Sequence, residues 1–325
     1  MVTLDPQADG TWQPVGQSAA QEALRLCANY ADQGVCNWSI PASAQETLCR
    51  SCSLTHIIPD LSIAGSLEAW TKLETAKRRL VYALLSLELP LRPRSQDPQH
   101  GLEFRFMSDS VSVNGDRSRV LTGHDDGLIT INIAEADDVY RETQRQHQNE
   151  PYRTLLGHFR HEIGHYYWDL LIANSEQLDG FRERFGDERA DYQQALKQHY
   201  EQGTPANWAD HFISAYSSMH PWEDWAESWA HVMHMVDALE TAYSLGLSVR
   251  PARSDEPSLA IPDKPVLARV GDFDQLLKEW SSLTYVLNNL TRGLGLADAY
   301  PFVISAPVIE KLRFVCQSMT RERTP

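Results

Sequence analysis

Two histidines and a glutamate within five residues form the first candidate chemical site of the sequence. Residues 161–165 read His-Glu-Ile-Gly-His. In an α-helix, side chains at positions i and i+4 project from one face, so His161 and His165 could hold one zinc ion between their imidazoles. Glu162 would lie beside them, where it could take a proton from an attacking water. The alternative is an ordinary polar patch of two surface histidines on an amphipathic helix.

Two histidines do not complete a catalytic zinc site, because such sites have three protein ligands and an open position. A third histidine at the usual spacing is excluded, since Trp168 and Leu171 stand where that version of the motif needs glycine and histidine. A carboxylate is the remaining option. Glu183, with Asp187 four residues later, is one candidate, but Gly186 interrupts the helical pattern there.

Residues 216–234 offer a better candidate for the third ligand. Pro221 suits the first position of a helix and places Glu223 in the first turn, where the helix dipole favours a carboxylate. A polar stripe follows from this glutamate, and a tryptophan stripe beside it is predicted to be core. The polar stripe is Glu223, Glu227, His231 and His234, and the aromatic one is Trp222, Trp225 and Trp229.

Four of the five cysteines lie close together near the N-terminus. Cys27, Cys36, Cys49 and Cys52 have the spacing C-x8-C-x12-C-x2-C. Two cysteines separated by two residues can reach one tetrahedral metal, and two further thiolates complete a structural zinc site. Reduced core cysteines and disulfides are the alternatives. The fifth, Cys316, is predicted to be a small buried residue on a C-terminal helix.

The elements that must position these residues follow from hydrophobic periodicity. Apolar residues recur at spacings of three and four over 66–89, and the pattern alternates with period two over 102–107 and 127–135. The strand at 127–135 could offer an edge to an extended peptide. Gly164 costs a helix roughly 1 kcal/mol relative to alanine, which predicts close packing at that point. Further helical patterns cover 137–245, 272–290 and 307–319, with a proline-rich loop at 250–265.

Composition limits the function classes that the chain can serve. The 325 residues carry 42% hydrophobic side chains and a net charge of −15, which is typical of a globular protein that repels nucleic acid and anionic membranes. The longest basic run, residues 77–79, is predicted to be the solvated face of a helix. No apolar run reaches the roughly 18 residues of a membrane helix. We see no signal peptide, and we expect a cytoplasmic protein.

Together these residues resemble two related groups of proteins. The 161–165 motif followed by Trp-Glu-Asp-Trp-Ala-Glu at 222–227 resembles the glutamate-zincins of the anthrax lethal factor type. A second resemblance, to a family of uncharacterised bacterial zinc-binding metallopeptidases, covers most of the chain from Cys27 onward. The segments that carry it are 26–38, 49–52, 122–138 and 220–231.

The resemblance implies a role for each matching residue. His161, His165 and Glu223 match the zinc ligands, and Glu162 matches the general base. Glu227, one turn after the glutamate ligand, matches a carboxylate that supports a ligand histidine. Tyr216, seven residues before Glu223, matches a tyrosine that faces the scissile carbonyl; the alternative is a core tyrosine. His158 lies one turn before His161 and is predicted to be a polar helix position rather than a support for the metal.

The sequence therefore predicts a mostly helical α+β, zincin-like metallopeptidase with a small antiparallel sheet. We expect a cysteine-rich zinc module over residues 1–62 and a peptidase domain over 63–325, with one catalytic and one structural zinc. The substrate would be a peptide or protein, with no nucleic acid or membrane partner, and the oligomeric state is open. The alternatives are an inactive zinc protein that recognises peptides and, less compatible with the charge, a nucleic-acid binder.

Overall fold

The computed structural model describes residues 3–16, 22–111, 117–148, 154–260 and 270–321. These residues separate into two compact units. Unit 1 comprises 1–82 and 91–141, and unit 2 comprises 83–90 and 142–325. The predicted domain boundary after residue 62 stays a prediction.

Unit 1 begins with a four-stranded antiparallel sheet of order β1-β2-β3-β4. A short helix, α1, lies between its last two strands, and the four cysteines cluster around this helix and a 3-10 turn at Cys52–Leu54. The described elements are β1 (Leu4–Pro6), β2 (Trp12–Pro14), β3 (Leu24–Leu26), α1 (Ala28–Gln33) and β4 (Ser39–Pro41).

A second sheet of unit 1 contains the two strands that the alternating pattern predicts. Its members are β5 (Thr55–Ile57), β6 (Glu103–Met107), β9 (Gly123–Asp125) and β10 (Leu128–Asn132), in the order β5-β6-β10-β9. A two-stranded ribbon, β7 (Ser110–Val111) with β8 (Arg117–Ser118), lies between β6 and β9 in the chain.

The pairing in this second sheet differs from the expected antiparallel one. Strands β5, β6 and β10 run parallel, and only β9 is antiparallel to its neighbour. The tight hairpin of this sheet joins β9 to β10 at Asp126-Gly127, where both residues have positive φ. The antiparallel partner of β10 is therefore β9, and β10 lies beside β6 in the same direction. Because β10 lies between two strands, it offers no free edge to a peptide, and that expectation is wrong.

The predicted strand over 127–135 is also too long. The chain turns into a 3-10 helix at Ile133–Ala136, because the Asn132 side chain accepts a hydrogen bond from the backbone N–H of Ala134 at 3.0 Å. Such a local side-chain bond competes with continuation of the strand.

The basic run at 77–79 is not a solvated face. It lies on helix α2 (Ser66–Ser86), where Lys77 and Arg78 are both buried. The Lys77 ammonium is 2.9 Å from a carboxylate oxygen of Glu74, and Arg78 donates to the backbone oxygen of Val35 at 2.6 Å. Buried charges need such partners. The run of basic residues along the chain does not show which groups the fold places beside them.

Unit 2 is helical in its described part, with the long predicted region 137–245 divided by turns. Helix α3 (Asp138–Gln148) begins in unit 1 and ends in unit 2. The others are α4 (Leu155–Leu171), α5 (Leu178–Phe185), α6 (Tyr192–Gln202), α7 (Pro221–Ser244), α8 (Phe273–Gly293) and α9 (Ala306–Arg321). Part of the predicted 250–265 loop, from residue 261, lies outside the described residues. None of the described helices is both long enough and apolar enough to cross a membrane.

Helices α4 and α7 pack closely, and this contact confirms the predicted close packing at Gly164. It also confirms the core position of two of the three tryptophans in the stripe, whereas Trp222 is only half-buried. A Cβ added at Gly164 would lie 3.0 Å from the Cα of Ala226, so only glycine permits this approach of the helices. Trp225 is fully buried and donates from its indole to the backbone oxygen of Gly164 at 2.8 Å. Trp229, also buried, stacks on Tyr167 at 4.7 Å. Cys316 is buried on α9, as predicted.

Candidate metal centres

Helix α4 brings His161 and His165 together on one face. Thr154 caps the helix by accepting a hydrogen bond from the backbone N–H of Gly157 at 2.9 Å. The two Nε2 atoms lie 3.2 Å apart. Their side chains are 13% and 18% exposed, so the pair is accessible from one side without being on the open surface.

Glu223 enters the same site from the first turn of α7. His220 caps this helix by accepting from the backbone N–H of Trp222 at 3.2 Å, and Pro221 takes the first position. Glu223 Oε2 lies 2.9 Å from His161 Nε2, and Oε1 lies 3.6 Å from His165 Nε2. Zinc bonds of about 2.0 to 2.1 Å in a tetrahedron put neighbouring ligand atoms about 3.3 Å apart, which is the spacing of this triangle.

The chemistry of the three groups also fits a zinc ion. Two imidazole nitrogens and one carboxylate are a common catalytic zinc ligand set. Glu223 is buried, yet its Oε2 makes no hydrogen bond to any residue that the structure describes. A buried carboxylate oxygen without a hydrogen-bond donor is costly, and a bound cation would remove that cost.

Glu227 supports the site from the next turn of α7. Its Oε1 lies 2.7 Å from His161 Nδ1, and its Oε2 accepts from the Ser214 hydroxyl at 2.8 Å. When Nδ1–H donates to this carboxylate, a neutral imidazole has its lone pair on Nε2, which faces Glu223.

Charges in the site favour a carboxylate over a carboxylic acid at Glu223. Burial alone would raise its pKa, but the charges of His165 and His161 hold that pKa well below the ordinary value. For His161, burial alone would lower the pKa, whereas Glu223 and Glu227 raise it well above the ordinary value. If a metal ion displaced the imidazole proton of His161, the ionised carboxylate of Glu223 could therefore bind that ion.

Glu162 and Tyr216 lie near this triangle, but neither joins it. Glu162 is buried on α4, and its charge contributes to a raised pKa at Tyr192. Tyr216 begins a short 3-10 turn, Tyr216–Ser218, and its ring centroid lies 6.0 Å from that of His161. Burial first and the charge of Glu223 second raise the pKa of its phenol, which keeps it protonated.

The remaining candidates from the sequence do not meet at the triangle. Glu183 is exposed and lies 3.0 Å from Arg184, while Asp187 pairs with Arg189 at 2.7 Å. His231 and His234, the far end of the polar stripe, are buried farther along α7. His231 lies 2.7 Å from the Tyr300 hydroxyl, and burial lowers its pKa to about 4. Among the described residues, the histidine cluster that could hold a metal consists of His161, His165 and Glu223, and it includes neither His231 nor His234.

Tyr192 is a site residue that sequence reasoning missed. At the start of α6, its hydroxyl donates to Glu223 Oε1 at 2.8 Å. No motif marks it, because 31 residues separate it from Glu223. The available signal is weak, because the sequence shows only that Tyr192 follows Asp191, the residue that caps α6.

The four N-terminal cysteines form a second, closed cluster. Their sulfurs all lie within 4.8 Å of one another, none is in a disulfide, and the four residues are at most 2% exposed. The Cys36 and Cys49 sulfurs are 3.7 Å apart, close to the about 3.8 Å that zinc–sulfur bonds of about 2.3 Å require in a tetrahedron.

Backbone donors surround these sulfurs as well. N–H groups point at three of them: Trp38 N lies 3.4 Å from Cys36, Cys49 N lies 3.3 Å from Cys27, and Cys52 N lies 3.5 Å from Cys49. Hydrogen bonds of this kind stabilise thiolates, the form that binds metal.

Comparison with known protein families agrees with both clusters. Residues 66–318 match a family described as "Putative zinc-binding metallo-peptidase", and residues 1–63 match a zinc-ribbon domain. The chain belongs to this metallo-peptidase family. The family match spans α4 and the start of α7, and the zinc-ribbon match contains all four clustered cysteines.

Relatives of the chain include an uncharacterized protein of Mycobacterium bovis and uncharacterized proteins of two strains of Mycobacterium tuberculosis. Each is 45% identical to it over 293 residues, which cover 90% of this chain and 81% of the relative. No solved structure matches the chain. The family membership therefore comes from sequence similarity, and the site geometry comes from the chain itself.

Proposed function

We propose that the protein is a zinc-dependent hydrolase of peptide bonds. The observation that carries the proposal is the convergence of His161 Nε2, His165 Nε2 and the Glu223 carboxylate, with a carboxylate of Glu227 behind His161. The proposed catalytic group Glu162 lies on the same helix as the two histidines. A polar surface patch would not need a buried, ionised Glu223.

Each residue of the centre has a role in the proposed reaction. His161, His165 and Glu223 would hold the zinc, which when bound polarises a carbonyl and lowers the pKa of water to about 7. Glu162 accepts the proton of the attacking water and delivers it to the leaving amine. The protonated phenol of Tyr216 donates to the negative charge that develops on the carbonyl oxygen.

The similarity to glutamate-zincins supports this assignment of roles. The arrangement of a histidine helix with a second helix that supplies Glu223 and, one turn on, Glu227 is the pattern of the lethal factor type. We propose the zincin-like fold on the same grounds, with a peptide or protein as the substrate. The net charge of −15 does not favour a nucleic-acid or membrane partner.

We further propose that Cys27, Cys36, Cys49 and Cys52 bind a structural zinc. A closed four-thiolate site leaves no position for a substrate, so its contribution is to the stability of the N-terminal module. The absence of disulfides among the described cysteines supports a cytoplasmic location, where thiols stay reduced.

Two measurements test the proposal. Elemental analysis is expected to find two zinc ions per wild-type chain and one in His161→Ala. The wild-type protein is expected to hydrolyse an unstructured protein such as casein, and Glu162→Gln is expected to abolish hydrolysis while keeping both zinc ions. A wild-type chain with two zinc ions and no hydrolysis would favour the alternative, a zinc protein that only binds peptides.

A further inference from the structure

The carboxylate of Glu223 is asymmetric in its surroundings. Oε1 accepts the Tyr192 hydroxyl at 2.8 Å, whereas Oε2 makes no hydrogen bond to a described residue. Oε2 is the oxygen that lies 2.9 Å from His161 Nε2, at the position of the proposed metal. One oxygen is thus occupied by a phenol, and the other is left for the ion.

Tyr192 is itself held by the start of α7. Its ring packs edge to face against His220 at 5.2 Å, and His220 is the cap of the helix that carries Glu223. His220 Nε2 lies 3.1 Å from the backbone oxygen of Ala190, two residues before Tyr192. The turn before α6 and the cap of α7 are therefore connected, and the phenol has a defined position relative to Glu223.

We propose that Tyr192 is a positioning residue that holds Glu223 ready to bind the metal through one oxygen. This inference rests on the proposed function, since it concerns the same centre. Removing the hydroxyl frees Oε1 and allows the carboxylate to rotate. Groups that orient a metal ligand in this way typically contribute a factor of 10 to 100 in metal affinity.

The test compares three single tyrosine-to-phenylalanine variants by competition of zinc with a chromogenic chelator. Tyr192→Phe is expected to weaken zinc binding at the histidine site about 10- to 100-fold. Tyr216→Phe is expected to leave zinc affinity unchanged, because its hydroxyl does not touch a ligand. Tyr200→Phe, on the same helix and largely exposed, is the matched control, and its zinc affinity should equal that of the wild type.

Cobalt substitution should give Tyr192→Phe an altered visible spectrum, which a loss of helix packing alone would not produce.

Peptide hydrolysis separates this inference from the proposed hydrolase. Wild-type zinc affinity and cobalt spectrum in Tyr192→Phe would overturn the inference and leave the proposed hydrolase intact. A wild-type chain that binds zinc at this site and cleaves no peptide would overturn the hydrolase, while the affinity comparison would still decide the role of Tyr192.

Discussion

The two ring nitrogens of His161 face two carboxylates, and this pairing gives the imidazole its orientation. Glu227 lies 2.7 Å from Nδ1, and Glu223 lies 2.9 Å from Nε2. Burial would lower the pKa of this imidazole, but the two carboxylates raise it well above its ordinary value, so each nitrogen carries a proton when no metal is bound. A zinc ion on Nε2 would replace the proton that faces Glu223 and would leave the Nδ1 proton to Glu227.

Glu227 is expected to act on metal affinity rather than to bind metal. In Glu227→Ala, His161 loses the acceptor that fixes its tautomer, and zinc affinity at the histidine site should fall about 10- to 100-fold. The measurement is zinc competition with a chelator of known affinity. Glu183→Ala is the matched control, since its exposed carboxylate pairs only with Arg184 among the contacts that the structure records for it. Loss of zinc in Glu183→Ala instead would contradict the choice of Glu223 and Glu227.

Tyr216 is expected to contribute only in the transition state. Its hydroxyl is protonated and touches no metal ligand directly, so Tyr216→Phe should lower kcat by about 10² to 10³ with little change in KM. Steady-state kinetics on a chromogenic peptide would measure both constants, and zinc content and Tm serve as controls. Full activity would show that the tyrosine is only a packing residue, and lost zinc or a lower Tm would show that its role is structural.

At the scale of elements, the site depends on how closely α4 and α7 approach. The two histidines and the two glutamates come from different helices, so their distances are set by the packing between them. Gly164 lies at the contact, one residue before His165, and Trp225 bridges the helices by donating to its backbone oxygen. Any side chain at Gly164 would separate α4 from α7 or distort the contact.

Gly164→Ala is therefore expected to destabilise the protein despite the better helix propensity of alanine. The new Cβ would meet Ala226 Cα at 3.0 Å, Trp229 Cβ at 3.2 Å and Ala226 O at 3.3 Å. Overpacking costs about 1 to 3 kcal/mol, and the propensity gain offsets up to about 1 kcal/mol of it. Urea unfolding should show the loss. Gly293→Ala, at the end of α8 with nothing within 4 Å of the added Cβ, should be neutral or stabilising. Equal stability in the two variants would contradict the close contact.

His231 makes α7 sensitive to acid. Burial lowers its pKa to about 4 from an ordinary 6.5, although the charge of Glu227 acts in the other direction. Between those values the unfolded chain binds a proton that the folded chain does not, so the free energy of unfolding falls as pH decreases through this window. The loss between pH 7 and pH 5 should be about 2 kcal/mol.

Urea unfolding of the wild type and of His231→Gln at both pH values would measure this loss. The variant has no titrating imidazole, so its own change between pH 7 and pH 5 should be smaller by that amount, while the other groups of the site contribute equally to both proteins. An unchanged pH dependence in the variant would mean that folding does not lower the pKa of His231.

The sequence predicted the helices of the site better than its contacts. Spacing put His161 and His165 on one face of a helix, and the proline at 221 fixed where the next helix begins, since both features act within a few residues. Tyr192 was invisible because its partner is 31 residues away. The sequence also did not predict the parallel pairing of β6 with β10 or the burial of Lys77. Each depends on a neighbour that the fold brings in, such as β9 or Glu74, and the periodicity and charge along the chain do not identify that neighbour.

At the scale of the whole molecule, the described part of the chain carries two clusters of metal-binding character that differ in accessibility. The four-cysteine cluster is almost completely closed to solvent, whereas the histidine side chains keep 13% and 18% of their surface exposed. The first lies in unit 1 and the second in unit 2. Closed sites are typical of structural zinc, and open ones are typical of catalysis.

This difference predicts the order in which the metals leave. Under a mild chelator such as 1,10-phenanthroline, hydrolysis should be lost first, because the histidine site is exposed and must keep a position for water. The cysteine-bound zinc should stay until a stronger chelator or a thiol reagent is used, and only its removal should unfold the N-terminal module, since folding and metal binding are coupled in such modules. Zinc release, activity and far-UV circular dichroism followed in one titration would separate the two steps, and added zinc should restore activity after the first.

His161→Ala, which lacks the first site, should show the second step alone. Simultaneous loss of both metals together with the fold would contradict the division of the two clusters into one catalytic and one structural centre.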